Sequence, residues 1–184
     1  MQGIRLRKKL PQGDWNTYMQ QQAAVVKDPA IARFFSAPLP AADTPISEVP
    51  MAALDMETTG LDEHRHAIVS IGVVPFTLGR ITLSERRYWV LKPPRPLSAS
   101  SVAYHHITHS EIAHAPDLDR VLEAVLEALA GRLVVVHFRQ IERPFLNAAV
   151  KVRRGEGVLF PVIDTMSLEA RLHRQSLWAR FRRW

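Results

Sequence analysis

The sequence predicts an α/β domain with a mixed β-sheet flanked by helices and a helical extension at its N-terminus. Three observations carry this expectation. Residues 51–91 contain three strand-like apolar runs with no helical pattern between them. From residue 117 onward, helical and strand-like segments alternate. Early strands followed by such alternation make a sheet with both antiparallel and parallel neighbours. Residues 1–48 differ, carrying helical patterns and then a series of prolines.

The elements follow in order. Asp14 is placed to cap a helix running to about Val26, with Trp15, Tyr18, Met19 and Gln22 near helical spacing. Asp28-Pro29 predicts a second short helix, with proline at its first position and Ile31, Phe34 and Phe35 apolar. Pro38, Pro40, Pro45 and Pro50 then impose an extended linker. This divides the chain into an extension over 1–48 and a main domain over 49–184.

Strands are expected at Met51–Asp55, Ala67–Pro75 and Ile81–Leu91, the second rich in β-branched residues. Pro93, Pro94 and Pro96 break the chain after the third. Asp117 to Ala130 reads as an amphipathic helix, with Leu118, Val121, Leu122, Val125, Leu126 and Leu129 on one side and Gly131 ending it. Leu133–Phe138 reads as a buried strand, about Glu142 to Arg153 as a helix, and Val162–Asp164 as a short strand. Thr165 opens a last helix.

Composition narrows the function. The net charge is +6, which favours a polyanionic partner, with nucleic acid first. Arg171, Arg174, Arg180, Arg182 and Arg183 crowd the C-terminus, with no acid after Glu169. There are no cysteines, which excludes disulfides and thiolate sites and suits a cytoplasmic protein. No run approaches the ~18 consecutive apolar residues of a membrane span, so no membrane partner is expected.

The most specific feature is Asp55-Met56-Glu57-Thr58-Thr59-Gly60, directly after the apolar run Met51-Ala52-Ala53-Leu54. Side chains alternate along a strand, so Asp55 and Glu57 share a face. Like charges this close are unfavourable unless a cation holds them, and hard carboxylate oxygens suit Mg²⁺ or Mn²⁺. Gly60 would let the backbone turn sharply and approach a ligand. Thr58 and Thr59 offer donors suited to a phosphate or sugar. The pattern therefore points to metal-assisted chemistry on a phosphate.

The segment Ala53 to Asp62 resembles the first motif of the DEDD superfamily of 3′–5′ exonucleases, the ribonuclease-H-like nucleases that include the proofreading epsilon subunit of bacterial DNA polymerase III. Further matches follow in order. Ile68-Val69-Ser70-Ile71-Gly72 resembles the family's second strand. Tyr104-His105-His106-Ile107-Thr108 resembles its His-Gly-Ile-Thr segment. Val136-His137 through Phe145-Leu146 resembles the second exonuclease motif, and Ile163-Asp164-Thr165 the strand end after it. The resemblance covers about Val49 to Leu172.

It implies a ribonuclease-H-like fold and two-metal hydrolysis of phosphodiester bonds at the 3′ end of single-stranded DNA or RNA, DNA favoured, with Mg²⁺ or Mn²⁺ as cofactor. Asp55, Glu57 and Glu142 would be the catalytic metal ligands. Thr58, Thr59, Gly60, Ser100, His105 and Phe145 would hold the terminal nucleotide. A polymerase or other replication or repair proteins would be partners. His64, His66, His109 and His114 are expected on the surface or in loops, and His137 as a structural hydrogen-bonding residue.

Two departures qualify this. Glu142 stands where the family has aspartate, one methylene shorter. The family's third motif, a general-base histidine followed five residues later by aspartate, has no counterpart after Asp164, because His173 is followed at that distance by Trp178. The expectation is a chain truncated before that motif, with weak or no nuclease activity by itself. An alternative is a nuclease-like nucleic-acid-binding module. Asp164 is expected to have a structural or capping role rather than to replace the missing ligand.

Overall fold

The computed structural model describes residues 14–94 and 107–172. Helix α1 spans Trp15–Val25 and α2 spans Pro29–Ser36. Both caps are formed as expected. The Asp14 carboxylate accepts from the amides of Asn16 and Thr17, and that of Asp28 from Ala30 and Ile31. Each such cap is worth about 1 kcal/mol.

The strands are β1 (Met51–Thr58), β2 (Ile68–Thr77), β3 (Arg80–Ile81), β4 (Arg87–Val90), β5 (Leu133–Val136) and β6 (Val162–Asp164). They form one sheet in the order β3-β2-β1-β5-β6, with β4 also paired to β2. Strand β1 is antiparallel to β2 and parallel to β5, and β5 is parallel to β6. The sheet is therefore mixed, as expected.

The third expected strand, Ile81–Leu91, is instead two short strands separated by a 3-10 turn over Leu83–Glu85. The gap has a local cause. Strand β3 pairs with Phe76 and Thr77, β4 with Ser70 to Val73, and only Val74 and Pro75 are skipped. The Pro75 carbonyl accepts from the Thr82 amide on this edge. In an antiparallel strand a residue's N–H and C=O point the same way, so the N–H that proline lacks is one this edge would need.

The helices after the sheet's first half are α3 (His109–Ala113), α4 (Leu118–Leu129), α5 (Arg139–Arg154) and α6 (Thr165–Leu172). Helix α3 was not among the expected elements, although Thr108 and Glu111 form a capping box that marks its start. Gly131, at φ 68°, ends α4. Helix α5 starts three residues before Glu142, so Pro144 lies inside it.

Helix α4 turns Leu118, Leu122, Val125, Leu126 and Leu129 into a core shared with Phe145, Leu146 and Val150 of α5. Met19 of α1 and Ile31, Phe34 and Phe35 of α2 belong to the same cluster. Each fully buried side chain of this size contributes roughly 1.5–3 kcal/mol.

A carboxylate fastens the turn between α1 and α2. Glu156 accepts from the amide of Lys27 at 2.9 Å and from that of Asp28 at 2.9 Å. Arg154 adds an ion pair to Asp28 at 3.2 Å. Glu156→Ala is expected to cost about 1–2 kcal/mol, because two amides lose a charged acceptor at a partly exposed site. Urea denaturation measures the loss, and hydrogen exchange should accelerate at residues 27–31 before the sheet.

Candidate active site

Strands β1, β5 and β6 are parallel to one another, so their carboxyl ends share one edge of the sheet. Asp55 lies two residues past Ala53, the last β1 residue paired to β5. Across the other side of β1, Asp55 faces Gly72 and Glu57 faces Ser70 of β2. The pairing shifts between Glu57 and Thr58, which ends the strand where the acids stand. Asp55 is exposed, whereas Glu57 is half-buried.

The first turn of α5 brings a third acid. Glu142 is 5% exposed. Its Oε2 is buried and has no hydrogen-bond partner among the described residues. Burial, and then the charges of Asp55 and Asp164, push its carboxyl up to about 7, against a partial offset from its own backbone amide. The charge of Asp55 thus reaches Glu142.

Asp164 ends β6 beside Val136. Its Oδ2 accepts from the Ser167 hydroxyl at 2.8 Å, and Arg139 lies 3.9 Å away. Burial alone would raise its carboxyl, but the Ser167 bonds and Arg139 hold it below the ordinary value. This is the capping arrangement expected of it, and its charge also reaches Glu142. His137 is exposed, and its Nδ1 lies 2.9 Å from the Thr165 hydroxyl, which donates to the Val136 carbonyl.

The loop after β1 uses its residues differently from the expectation. The Thr58 hydroxyl donates its single proton to the Gly60 carbonyl at 2.8 Å. The Thr59 amide donates to the Ala67 carbonyl, and the Ala67 amide donates to Thr59 Oγ1. Gly60 has no positive φ. A Cβ there would lie 2.5 Å from the His66 ring, so the space it leaves is filled by His66 rather than left for a ligand. His66 is thus packed within the loop, its Nδ1 3.2 Å from both the amide and the carbonyl of Asp62.

Phe145 is 2% exposed and faces a cavity of about 450 Å³ from within the core. Thr59, Arg65, His66, Lys92 and Arg153 also line that cavity. Ser100 and His105 lie outside the described residues.

The donor set can be tested against a cation. Asp55, Glu57 and Glu142 offer hard oxygens, and the unpartnered Glu142 Oε2 is the kind of atom a cation would satisfy. Among the described residues, no three such side chains already close on one point. The donor set fits a divalent ion in its chemistry.

A mixed sheet of this strand order flanked by helices is the ribonuclease-H-like fold of exonucleases. Solved structures agree on the fold. The nuclease domain of 3′hExo, a DEDDh family member bound to rAMP, superposes with a TM-score of 0.60 at 18% identity, over 73% of this chain and 74% of that one. Exonuclease I from Methylocaldum szegediense gives 0.57 at 15% identity, over 68% and 29%. The family model RNase_T, described as Exonuclease, matches residues 52–174, and the chain belongs to this exonuclease family.

Among curated relatives, a DNA polymerase III subunit epsilon-like protein of Rhodobacter capsulatus is 32% identical over 134 residues, which cover 70% of this chain and 18% of the relative. The DNA polymerase III subunit epsilon of Treponema pallidum is 26% identical over 120 residues, covering 65% and 55%. The chain thus spans only part of the relatives it matches. Divalent metal ions are general to the DEDDh exonucleases. No helix among the described residues is long and apolar enough to cross a membrane.

The raised Glu142 carboxyl has a consequence for stability without metal. Its folded value of about 7 exceeds the ordinary 4.5, so the folded state binds the extra proton between these values. The associated stability is complete below about pH 4.5 and is lost as pH rises through about 7. The change is on the order of 3 kcal/mol. Urea midpoints in EDTA at several pH values should fall across this window in the unmodified chain and lose most of that slope in Glu142→Gln.

Proposed function

We propose that this chain is the nuclease part of a 3′–5′ exonuclease that hydrolyses phosphodiester bonds at the 3′ end of single-stranded nucleic acid. The observation that carries this reading is the buried Glu142, whose Oε2 has no hydrogen-bond partner among the described residues and whose carboxyl feels the charge of Asp55, in a member of the exonuclease family. DNA is favoured over RNA because the relatives with appreciable identity are named for DNA polymerase III. The same names support a polymerase or other replication or repair protein as partner, and hence a cytoplasmic setting.

In this reading Asp55, Glu57 and Glu142 hold Mg²⁺ or Mn²⁺, two ions in the complete site. When bound, such ions lower the pKa of an attacking water and stabilise charge on the leaving oxygen. The protein's own residues do the positioning. Glu142 keeps a carboxylate oxygen out of water, ready for a cation. The loop of Thr58, Thr59 and Gly60 lies at the acids, where its backbone and the remaining hydroxyl capacity can orient a terminal nucleotide. Ser100, His105 and Phe145 complete the substrate contacts by their places in the motifs. Residues 49–184 form the nuclease domain, and residues 1–48 an extension to it.

A second reading, a nucleic-acid-binding module, is favoured by one sequence fact. No histidine followed five residues later by aspartate occurs between Asp164 and Trp184. A histidine in that role would deprotonate the attacking water, so hydrolysis by these 184 residues alone should be slow.

The test is incubation with Mn²⁺ and 5′-labelled single-stranded DNA, beside the matching RNA. Slow shortening from the 3′ end, abolished by EDTA and by Asp55→Ala, is expected, with DNA preferred. Retention of the DNA without shortening would instead establish the binding module. Where shortening is seen, Glu142→Gln should cost at least about 100-fold in rate, roughly 3 kcal/mol of transition-state stabilisation. Glu142→Asp should cost much less, and equal losses would reduce Glu142 to a helix-end acid.

A further inference from the structure

The first turn of α5, which carries Glu142, has little to hold it from within. It starts after Phe138, whose φ of 137° is a conformation that side chains other than glycine rarely adopt. Its N-cap makes no side-chain hydrogen bond. Pro144 has no N–H, so the bond to the Gln140 carbonyl that would join this turn to the next is missing. The Asp164 carboxylate holds the Arg139 amide at the start of the turn, but its strained entry and broken exit leave the part around Glu142 to be held by a further clamp from outside.

Arg143, the neighbour of Glu142, is where that clamp closes. It is 8% exposed, unusual for arginine. Its guanidinium donates to the Phe160 carbonyl at 3.3 Å and lies 6.0 Å from the centre of the Trp15 ring. Those two partners are the ends of one aromatic chain. Trp15 packs edge-on to Tyr18 at 5.5 Å, Tyr18 to Phe35 at 6.2 Å, Phe35 to Phe34 at 5.4 Å, and Phe34 to Phe160 at 5.9 Å. The chain leaves α1, crosses α2 and returns beneath α5, so both of its ends meet at Arg143.

We infer that the N-terminal helices are a working part of the metal site, with Trp15 and Arg143 as positioning residues that fix the first turn of α5 and so the placement of Glu142. This rests on the reading of Glu142 as a metal ligand. Neither residue touches the metal or the substrate. Arg143 is held by the Trp15 ring and by the Phe160 carbonyl, and the backbone carrying Glu142 is held with it. The extension would therefore be needed for cation binding even though the acids all lie outside it.

The test compares Trp15→Leu, Trp15→Phe and Glu156→Ala in the full chain. Mn²⁺ binding is measured by calorimetry, and hydrogen exchange is followed at residues 140–143. Trp15→Leu is expected to weaken Mn²⁺ binding about 10-fold, as loss of a supporting residue around a metal site does, and to speed exchange in this turn more than in β1. Trp15→Phe, which keeps an aromatic face, should restore most of the affinity. Glu156→Ala loosens the extension at its other end and should lower stability while leaving affinity within about 2-fold. Equal Mn²⁺ affinity in Trp15→Leu and the unmodified chain, or a parallel loss in Glu156→Ala, would overturn the inference. No Mn²⁺ binding by the unmodified chain would overturn the metal reading beneath it, a different and separable result.

Discussion

A carboxylate withdrawn from water loses hydration worth several kilocalories per mole unless a cation or hydrogen-bond donors replace it. Glu142 is in this position, with one oxygen unpartnered among the described residues and the charges of Asp55 and Asp164 within reach. Much of the surrounding structure can be understood as tolerating that cost. The parallel arrangement of β1, β5 and β6 brings three acids to one edge. Arg139 and Ser167 occupy Asp164, so it is ionised without competing for the same cation. What is left is an acid pair with an unmet demand for positive charge, an arrangement that marks a candidate functional site.

The clamp on Arg143 shows a second cost of the same placement. Burying a guanidinium is unfavourable, and both burial and the nearby Arg139 lower its pKa. An apolar residue there would avoid that penalty. Arginine instead offers a planar face to an aromatic ring and a hydrogen to a carbonyl, which fixes direction as well as distance. Directional contact matters where a helix turn must hold its orientation against local strain.

How much of this was legible in the sequence depended on range. Asp14, Asp28 and Asp117 cap their helices through bonds two or three residues away, and such bonds are written in local sequence. The Asp55–Glu57 pair was legible because alternation on a strand is equally local. Helix α5 starts at Arg139 rather than near Glu142, because Pro144 is accommodated inside the helix and no local capping residue marks the true start. Arg143 gave no sign of burial, since its partners lie on α1 and after α5. The third strand failed for a subtler reason. Its own residues suit a strand, and the interruption comes from Pro75 on the neighbour. The local roles of Thr58 and Gly60 were not read from the sequence: the hydroxyl bonds within the loop, and the space beside the glycine holds His66.

That loop has a neck. Thr59 and Ala67 exchange two hydrogen bonds, and the seven residues between them leave and return through this closed gate. Leu61 at its tip is 80% exposed. Because these bonds and that of Thr58 to Gly60 close the loop below its tip, a longer excursion at the tip would leave the strand that bears the acids in place, and its entropic cost grows only slowly. The fold thereby has a place to diversify, where new contacts with different partners can be added over generations without disturbing the chemistry beneath.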